Sequence, residues 1–179
     1  MTRRSSPPTA VYFDGYALIE LTKGKFAKVD TTDIHLVAGR LWQCSPTGYA
    51  ATASLKNGRR SITLMHNLIL GPSNMICQVD HVNGDRLDNR RENLRPASVT
   101  QNRANQTLSS RNSSGFKGVA KVQGSTTFRA YIGNRAEHLG CFGTVEEAAR
   151  AYDQAAIERW GEFARTNESL GLLPPIIKQ

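Results

Sequence analysis

Asp80 and His81 stand side by side in the run VDHVNGDRLDNRRENLRPASVTQN, residues 79–102, and amides return at Asn93 and Asn102. A hard oxygen ligand beside an imidazole, with a carboxamide coming back later, is the donor set of a one-metal phosphodiester hydrolysis site. That reaction needs an activated water, a base, charge neutralisation on the phosphate and help for the departing 3′ oxygen. His81 suits the base, because an imidazole with an ordinary pKa of roughly 6.5 is largely neutral at pH 7. Asp80 suits Mg²⁺ or Mn²⁺, and Asn102 can complete a pair of protein oxygens. Arg86, Arg90, Arg91, Arg95 and Arg103 offer cations for flanking phosphates, a sequence-blind and salt-sensitive affinity. The same residue types also build plain structure, since Asn-Gly-Asp is an ordinary turn and Asn caps helices. His66, beside an apolar run, reads as readily as a satisfied structural histidine.

These residues need elements to place them. Val79-Asp80-His81 is strand-like, so the two side chains diverge, and Asn83-Gly84-Asp85 is a tight turn. Asn89 to Leu94 reads as a helix that carries Asn93 back to the loop, where its amide would fix the His81 backbone or ring. Ahead of this, Tyr16 to Val29 suggests two short strands joined at Thr22-Lys23-Gly24, and Thr32-Asp33 could cap a short helix ending near Gly39. Leu41 to Cys44 reads as a strand. Tyr49–Leu55 and Ser61–Leu64 flank the hairpin signal Lys56-Asn57-Gly58-Arg59. Met65 to Leu70 reads as a short helix stopped by Gly71-Pro72.

Residues 103–114 are Ser- and Asn-rich, a linker composition. Beyond them, Phe128, Ala130 and Ile132 share one face of a strand, while Arg129, Tyr131 and Gly133 share the other. Thr144-Val145-Glu146-Glu147 is a capping box, and the helix behind it gathers Ala148, Ala149, Tyr152, Ala155, Ala156 and Trp160 on one face. Glu146, Asp153 and Glu158 read as its outward positions, and Gly161 as its stop. With Lys117, Lys121 and Arg135 on the sheet side, the sheet is basic and the helix acidic, which turns the sheet towards a polyanion.

The chain of 179 residues carries a net charge of +8 and a pI near 9.8, favouring nucleic acid over a membrane surface as partner. A hydrophobic share of 39% suits two modest cores better than one large one. No apolar run reaches membrane-spanning length and MTRRSSPPT lacks a signal-peptide core, so a soluble, cytoplasmic protein is expected. Cys44, Cys77 and Cys141 are scattered, without a CxxC pair, so neither a disulfide framework nor structural zinc is expected, only small buried or semi-buried thiols. The expected architecture is α+β: a tail over 1–10, a β-meander plus catalytic core over 11–102 (core about 62–102), a linker over 103–114, a three-stranded sheet on one helix over 115–168, and a tail over 169–179.

The run from Val79 to Asn102, with the lead-in Leu64-Met65-His66-Asn67-Leu68-Ile69, resembles the HNH nucleases of the phage and intron-homing type. That resemblance implies a ββα-metal core in which His81 is the general base, Asp80 the first metal ligand, Asn93 the supporting amide and Asn102 the second ligand. It places His66 as an accessory site residue. It also implies a divalent ion, double-stranded DNA as substrate, 5′-phosphate and 3′-hydroxyl products, and a phage or homing origin in a bacterial cytoplasm. Family members often read His-Arg in the lead-in, where this chain has Asn67. Residues 115–167 resemble the plant ethylene-response-factor type of DNA-binding domain, through Phe116-Lys117-Gly118-Val119, Leu139-Gly140-Cys141-Phe142, the helix opening Thr144 to Asp153, and Gly161 to Asn167. In that family the sheet enters the major groove, which puts Lys117, Tyr131 and His138 at contacting positions, with Arg129 on the same face. Ala120, Val122 and Gly133 stand where the plant domains place arginines, and each missing bidentate contact forfeits ~1–3 kcal/mol of discrimination. One site per chain suits a nicking monomer, while a dimer could cut both strands. The alternative is a non-catalytic DNA-binding protein with a vestigial core, against which the intact Asp80, His81, Asn93 and Asn102 set argues.

Overall fold

The structure, a computed structural model, describes residues 9–56, 58–71, 77–133 and 137–175. Arg135, Pro72, Asn57, most of the expected tail over 1–10 and residues 176–179 of the other lie outside the described residues. The chain divides into two compact units, residues 1–98 and 99–179, and the 103–114 segment falls within the second.

The first unit opens with an antiparallel sheet of β1 (Ala10–Tyr12), β2 (Tyr16–Glu20) and β3 (Phe26–Asp30). Strand alternation buries Ala17, Ile19, Ala27 and Val29 on one face. The connection at Thr22–Gly24 is a 3₁₀ turn that holds Lys23 at φ +66°. Helix α1 (Ile34–Val37) follows, without a side-chain cap from Asp33, which is buried and turned to another partner. A second sheet pairs β4 (Gln43–Cys44), β5 (Ala50–Lys56) and β6 (Arg59–Leu64), and β6 runs straight into α2 (Met65–Ile69). Leu21, Val29, Val37 and Met65 are fully buried at the centre of this core, each stabilising it by ~1.5–3 kcal/mol.

Strands β7 (Gln78–His81) and β8 (Leu94–Ala97) then pair antiparallel, from Gln78 opposite Ala97 to His81 opposite Leu94. The helix expected over Asn89–Leu94 does not form. Arg91–Asn93 is a single 3₁₀ turn, because side chains capture the backbone there: Asp88 Oδ1 accepts from Arg90 N–H and Asp30 Oδ2 from Arg91 N–H. Leu94 is drawn into the strand opposite His81, and Pro96 would have broken a longer helix.

The second unit begins with α3 (Val99–Ala104). Its sheet has the order β11-β10-β9, with β9 (Val119–Lys121), β10 (Phe128–Ile132) and β11 (Glu137–Phe142) antiparallel. Helix α4 (Val145–Trp160) packs its alanine face on it, and the predicted capping box forms between Thr144 and Glu147. Close approach is enforced at Gly118, whose φ is +76° and where a Cβ would lie 1.9 Å from the Tyr152 ring. Asp153 is not outward as expected but buried. Its carboxylate accepts from the backbone N–H groups of Asn167 and Glu168 and from Asn167 Nδ2, tying the chain end back to α4. Both units together give the expected α+β class. Among the described residues no helix is long and apolar enough to cross a membrane. Of the thiols, Cys44 is half-buried but Cys77 and Cys141 are exposed; strand alternation sets Cys141 outward, opposite Arg129.

Candidate active site

Asp80 and His81 close β7, and both are buried, 3% and 4% exposed. A strand sends neighbouring side chains to opposite faces, so burying both requires packing on each side of β7. On one side Arg95, the cross-strand partner of Asp80, donates from Nε to Asp80 Oδ2 at 3.0 Å. The other side is a cluster of rings. His66 of α2 meets His81 edge-on with centroids 5.1 Å apart, and Tyr49, just ahead of β5, touches both rings at 5.2 and 5.7 Å. Arg86 lies over Tyr49 at 5.0 Å and donates to the Thr47 carbonyl at 2.6 Å.

Burial sets the proton chemistry here. It pushes His81 below the usual imidazole value, while the Asn89 side chain and the carboxylates of Asp80, Asp85 and Asp88 pull the other way. His66 is pushed down to about 4, by burial first and by His81 second. His66 Nδ1 is buried without a hydrogen-bond partner among the described residues. Two neutral imidazoles therefore face each other at pH 7, and a neutral imidazole can accept a proton.

The loop after β7 is latched by amides. Gly84 N–H donates to the His81 carbonyl, Asp85 N–H to Asn83 Oδ1 and Leu87 N–H to Asp85 Oδ1. Asn93 accepts from Asn83 N–H at 2.9 Å and donates to the Asp88 carbonyl at 2.7 Å, while its own carbonyl receives Val82 N–H. Asn93 thus fixes the loop backbone, and Asn89, fully buried, is the amide beside the His81 ring. Sequence reasoning missed Asn89 and Tyr49. The doubled Asp88-Asn89 ahead of Arg90 was the available signal for the first, and nothing local marks the second.

The arginines expected at phosphates are largely engaged within the fold. Arg90 grips Asp88 through Nε and an Nη, at 2.9 and 2.7 Å, and also pairs with Glu92. Burial would raise the Asp88 carboxyl, but Arg90 outweighs it and holds it below the ordinary value. Arg91 makes a two-pronged contact with Asp33, both arms 2.8 Å. These acids are buried, and a buried carboxylate demands a cation. Arg86, Arg91 and, on α3, Arg103 are exposed, though Arg86 and Arg91 are engaged as described, and Asn102 beside Arg103 is half-buried.

In the second unit, register brings Arg129 opposite Cys141 and Tyr131 opposite His138 on the outer face of the sheet, with the Tyr131 and His138 rings 5.3 Å apart. Tyr131 and Cys141 hold the Arg129 guanidinium above its usual value. Lys121 pairs with Phe128 and so belongs to the opposite face, and Lys117 is a correction of another kind. Its ammonium turns inward to the carbonyls of Ala104 and Arg165, and burial, with Arg165, pushes it down to about 8. A cavity of about 610 Å³ in this unit, lined among others by Arg103, Arg111 and Trp160, contains none of Asp80, His81 or Asn93.

An HNH endonuclease family profile matches residues 65–104, from α2 through α3. The chain is 30% identical over 161 residues to an uncharacterized HNH endonuclease of Acanthamoeba polyphaga mimivirus, covering 89% of this chain and 82% of that protein. It is also 45% identical over 62 residues to an ethylene-responsive transcription factor of Arabidopsis thaliana, covering 32% of this chain and 14% of that one.

Proposed function

The chain belongs to the HNH endonucleases, and we propose that it cuts double-stranded DNA by metal-dependent hydrolysis, leaving 5′-phosphate and 3′-hydroxyl ends. The observation that carries this reading is the buried Asp80–His81 pair at the end of β7, with its loop latched by Asn93. His81, neutral and ringed by His66 and Tyr49, takes the proton of the attacking water, and the ring contacts hold its plane. Asn93 keeps the loop from opening, and His66 supports His81 from behind without touching substrate.

The donor set fits a hard divalent ion such as Mg²⁺ or Mn²⁺. Asp80 already meets a cation, Arg95, and among the described residues no group of three His, Cys, Asp or Glu gathers to cage a metal. One or two protein oxygens, with water and phosphate completing the shell, is how Mg²⁺ is usually held. Asp80 is the first oxygen and Asn102 the second; support for Asn102 is the family match that runs unbroken to residue 104. Bound there, the ion would neutralise charge on the scissile phosphate and the departing oxygen.

The second unit holds the duplex through Arg129, Tyr131 and His138, as in the plant transcription-factor domains, supported by their shared face and the short match to one such factor. A phage or homing origin rests on the resemblance of the motif alone, and a nicking monomer on there being one such site per chain. The test is supercoiled plasmid incubated with Mg²⁺ or Mn²⁺, with EDTA, and with His81→Ala. Nicking or linearisation that requires both ion and His81 is expected. Intact plasmid throughout, with DNA still bound in a gel shift, would replace this reading with that of a DNA-binding protein.

A further inference from the structure

The hairpin of β5 and β6 has no role in the site described above, yet its composition and exposure are unusual. Its six cross-strand pairs run from Ala51–Leu64 at the base to Lys56–Arg59 at the tip. Only the base is packed. Beyond it, Ala53, Ser54, Leu55, Arg59, Arg60, Ser61 and Ile62 are all exposed, Leu55 at 80% and Ile62 at 61%. A ribbon exposed on both faces contributes little to folding and is marginal on its own, which leaves its side chains open to a partner surface. Register sorts its side chains. Ala53–Ile62 and Leu55–Arg60 share one face, and Thr52–Thr63, Ser54–Ser61 and Lys56–Arg59 the other, so Arg59 and Arg60 flank the tip on opposite faces.

Charge and position identify that surface. No Asp or Glu occurs anywhere between Asp33 and Asp80, so the cations of the ribbon have no neighbouring acid in sequence. Its two strands are also rooted in the ring cluster, since Tyr49 immediately precedes β5 and His66 is the second residue after β6. We infer that the β5–β6 ribbon enters the major groove of the DNA beside the bond being cut, with Leu55 and Ile62 against base edges and the long side chains of Arg60 and Arg59, on opposite faces of the tip, reaching out to phosphates. The inference rests on the reading of Asp80–His81 as the cutting site.

The dimensions agree. A groove ~12 Å wide admits a two-stranded ribbon. Five steps from base to tip at ~3.4 Å each reach ~17 Å, about half a turn of duplex. Leu55 and Ile62 have no hydrogen-bonding groups, so what they can recognise is the thymine methyl. Sequence preference from this ribbon is therefore a preference for T·A pairs within that half turn, on the side of the cut facing the hairpin.

The experiment titrates the full chain with labelled duplex DNA in EDTA across a salt series, comparing wild type, Arg59→Gln/Arg60→Gln and Leu55→Ala/Ile62→Ala. All these positions are exposed, and melting curves check that each variant is folded. The arginine variant should lower the slope of log affinity against log salt by ~2, at ~0.9 per phosphate contact, and Arg59→Lys/Arg60→Lys should restore it. The apolar variant should keep the slope but lose discrimination between duplexes that differ only in T·A pairs. A wild-type slope in the arginine variant overturns the proposal. So does self-association of the wild type in sedimentation that the apolar variant abolishes, since the ribbon would then join two copies of the chain. His81→Ala keeps the two readings apart. It should lose cutting while retaining the ribbon-dependent slope, and cutting by that variant would sink the catalytic reading without touching the ribbon.

Discussion

His66 is buried, neutral and held against His81, and its cost shows in acid. The unfolded chain protonates it near 6.5, whereas the folded protein resists until about 4. Between those values the unfolded state binds more protons, so stability falls as pH drops from 6.5 towards 4 and levels off below. The interval is worth roughly 3 kcal/mol. His66→Gln should remove that part of the acid sensitivity, seen as a shallower decline of urea-unfolding free energy over the same pH range. A decline parallel to wild type would mean that His66 is not the buried base described. Asp80, His81 and Asn93 were legible in sequence because their motif is contiguous. The arginines were not. Whether Arg90, Arg91 and Arg95 meet phosphate or carboxylate depends on Asp88, Asp33 and Asp80 being buried beside them, and burial is set by the fold.

At the scale of elements, the loop between β7 and β8 holds its shape through Asn93, which bonds Asn83 on one side and Asp88 on the other. Asn93→Ala should cost roughly 2 kcal/mol for two lost buried hydrogen bonds, and should lower cutting at saturating DNA. An unchanged melt together with an unchanged rate would show the latch to be dispensable. Strands β2 to β7 and β10, the β5–β6 hairpin and the capped helix α4 follow directly from alternation, turn residues and the capping box, whereas β1 and β8 were not read from sequence. The failures share one cause. Asn89–Leu94 looked helical, and Asp153 looked outward, because local propensity says nothing about distant backbone groups that a side chain will capture. Asp30 took Arg91 N–H across 61 positions, and Asp153 took the backbone of Asn167 and Glu168.

For the molecule as a whole, the first unit carries Asp80 and His81, and the second presents Arg129, Tyr131 and His138 on one open face. Arg129→Ala/His138→Ala should weaken duplex binding severalfold by the loss of one phosphate-type cation and one aromatic contact. The single-turnover cutting rate at saturating DNA should stay unchanged. A fall in that rate with affinity intact would assign the face to catalysis instead. The outer face was readable from alternation alone, but Lys117 was not, because only the packed unit shows its ammonium bonded to Ala104 and Arg165.

The pairing of Arg95 with Asp80 has a consequence for how the enzyme is handled rather than how it cuts. Because Arg95 already balances the carboxylate, burying Asp80 does not require an ion. If the ion proposed above binds at Asp80, loading it would be separate from folding, unlike in a zinc finger, whose chain collapses without its metal. On the metal-dependent reading, a chelator would act on this protein as a safety catch, silencing it reversibly and leaving the structure standing.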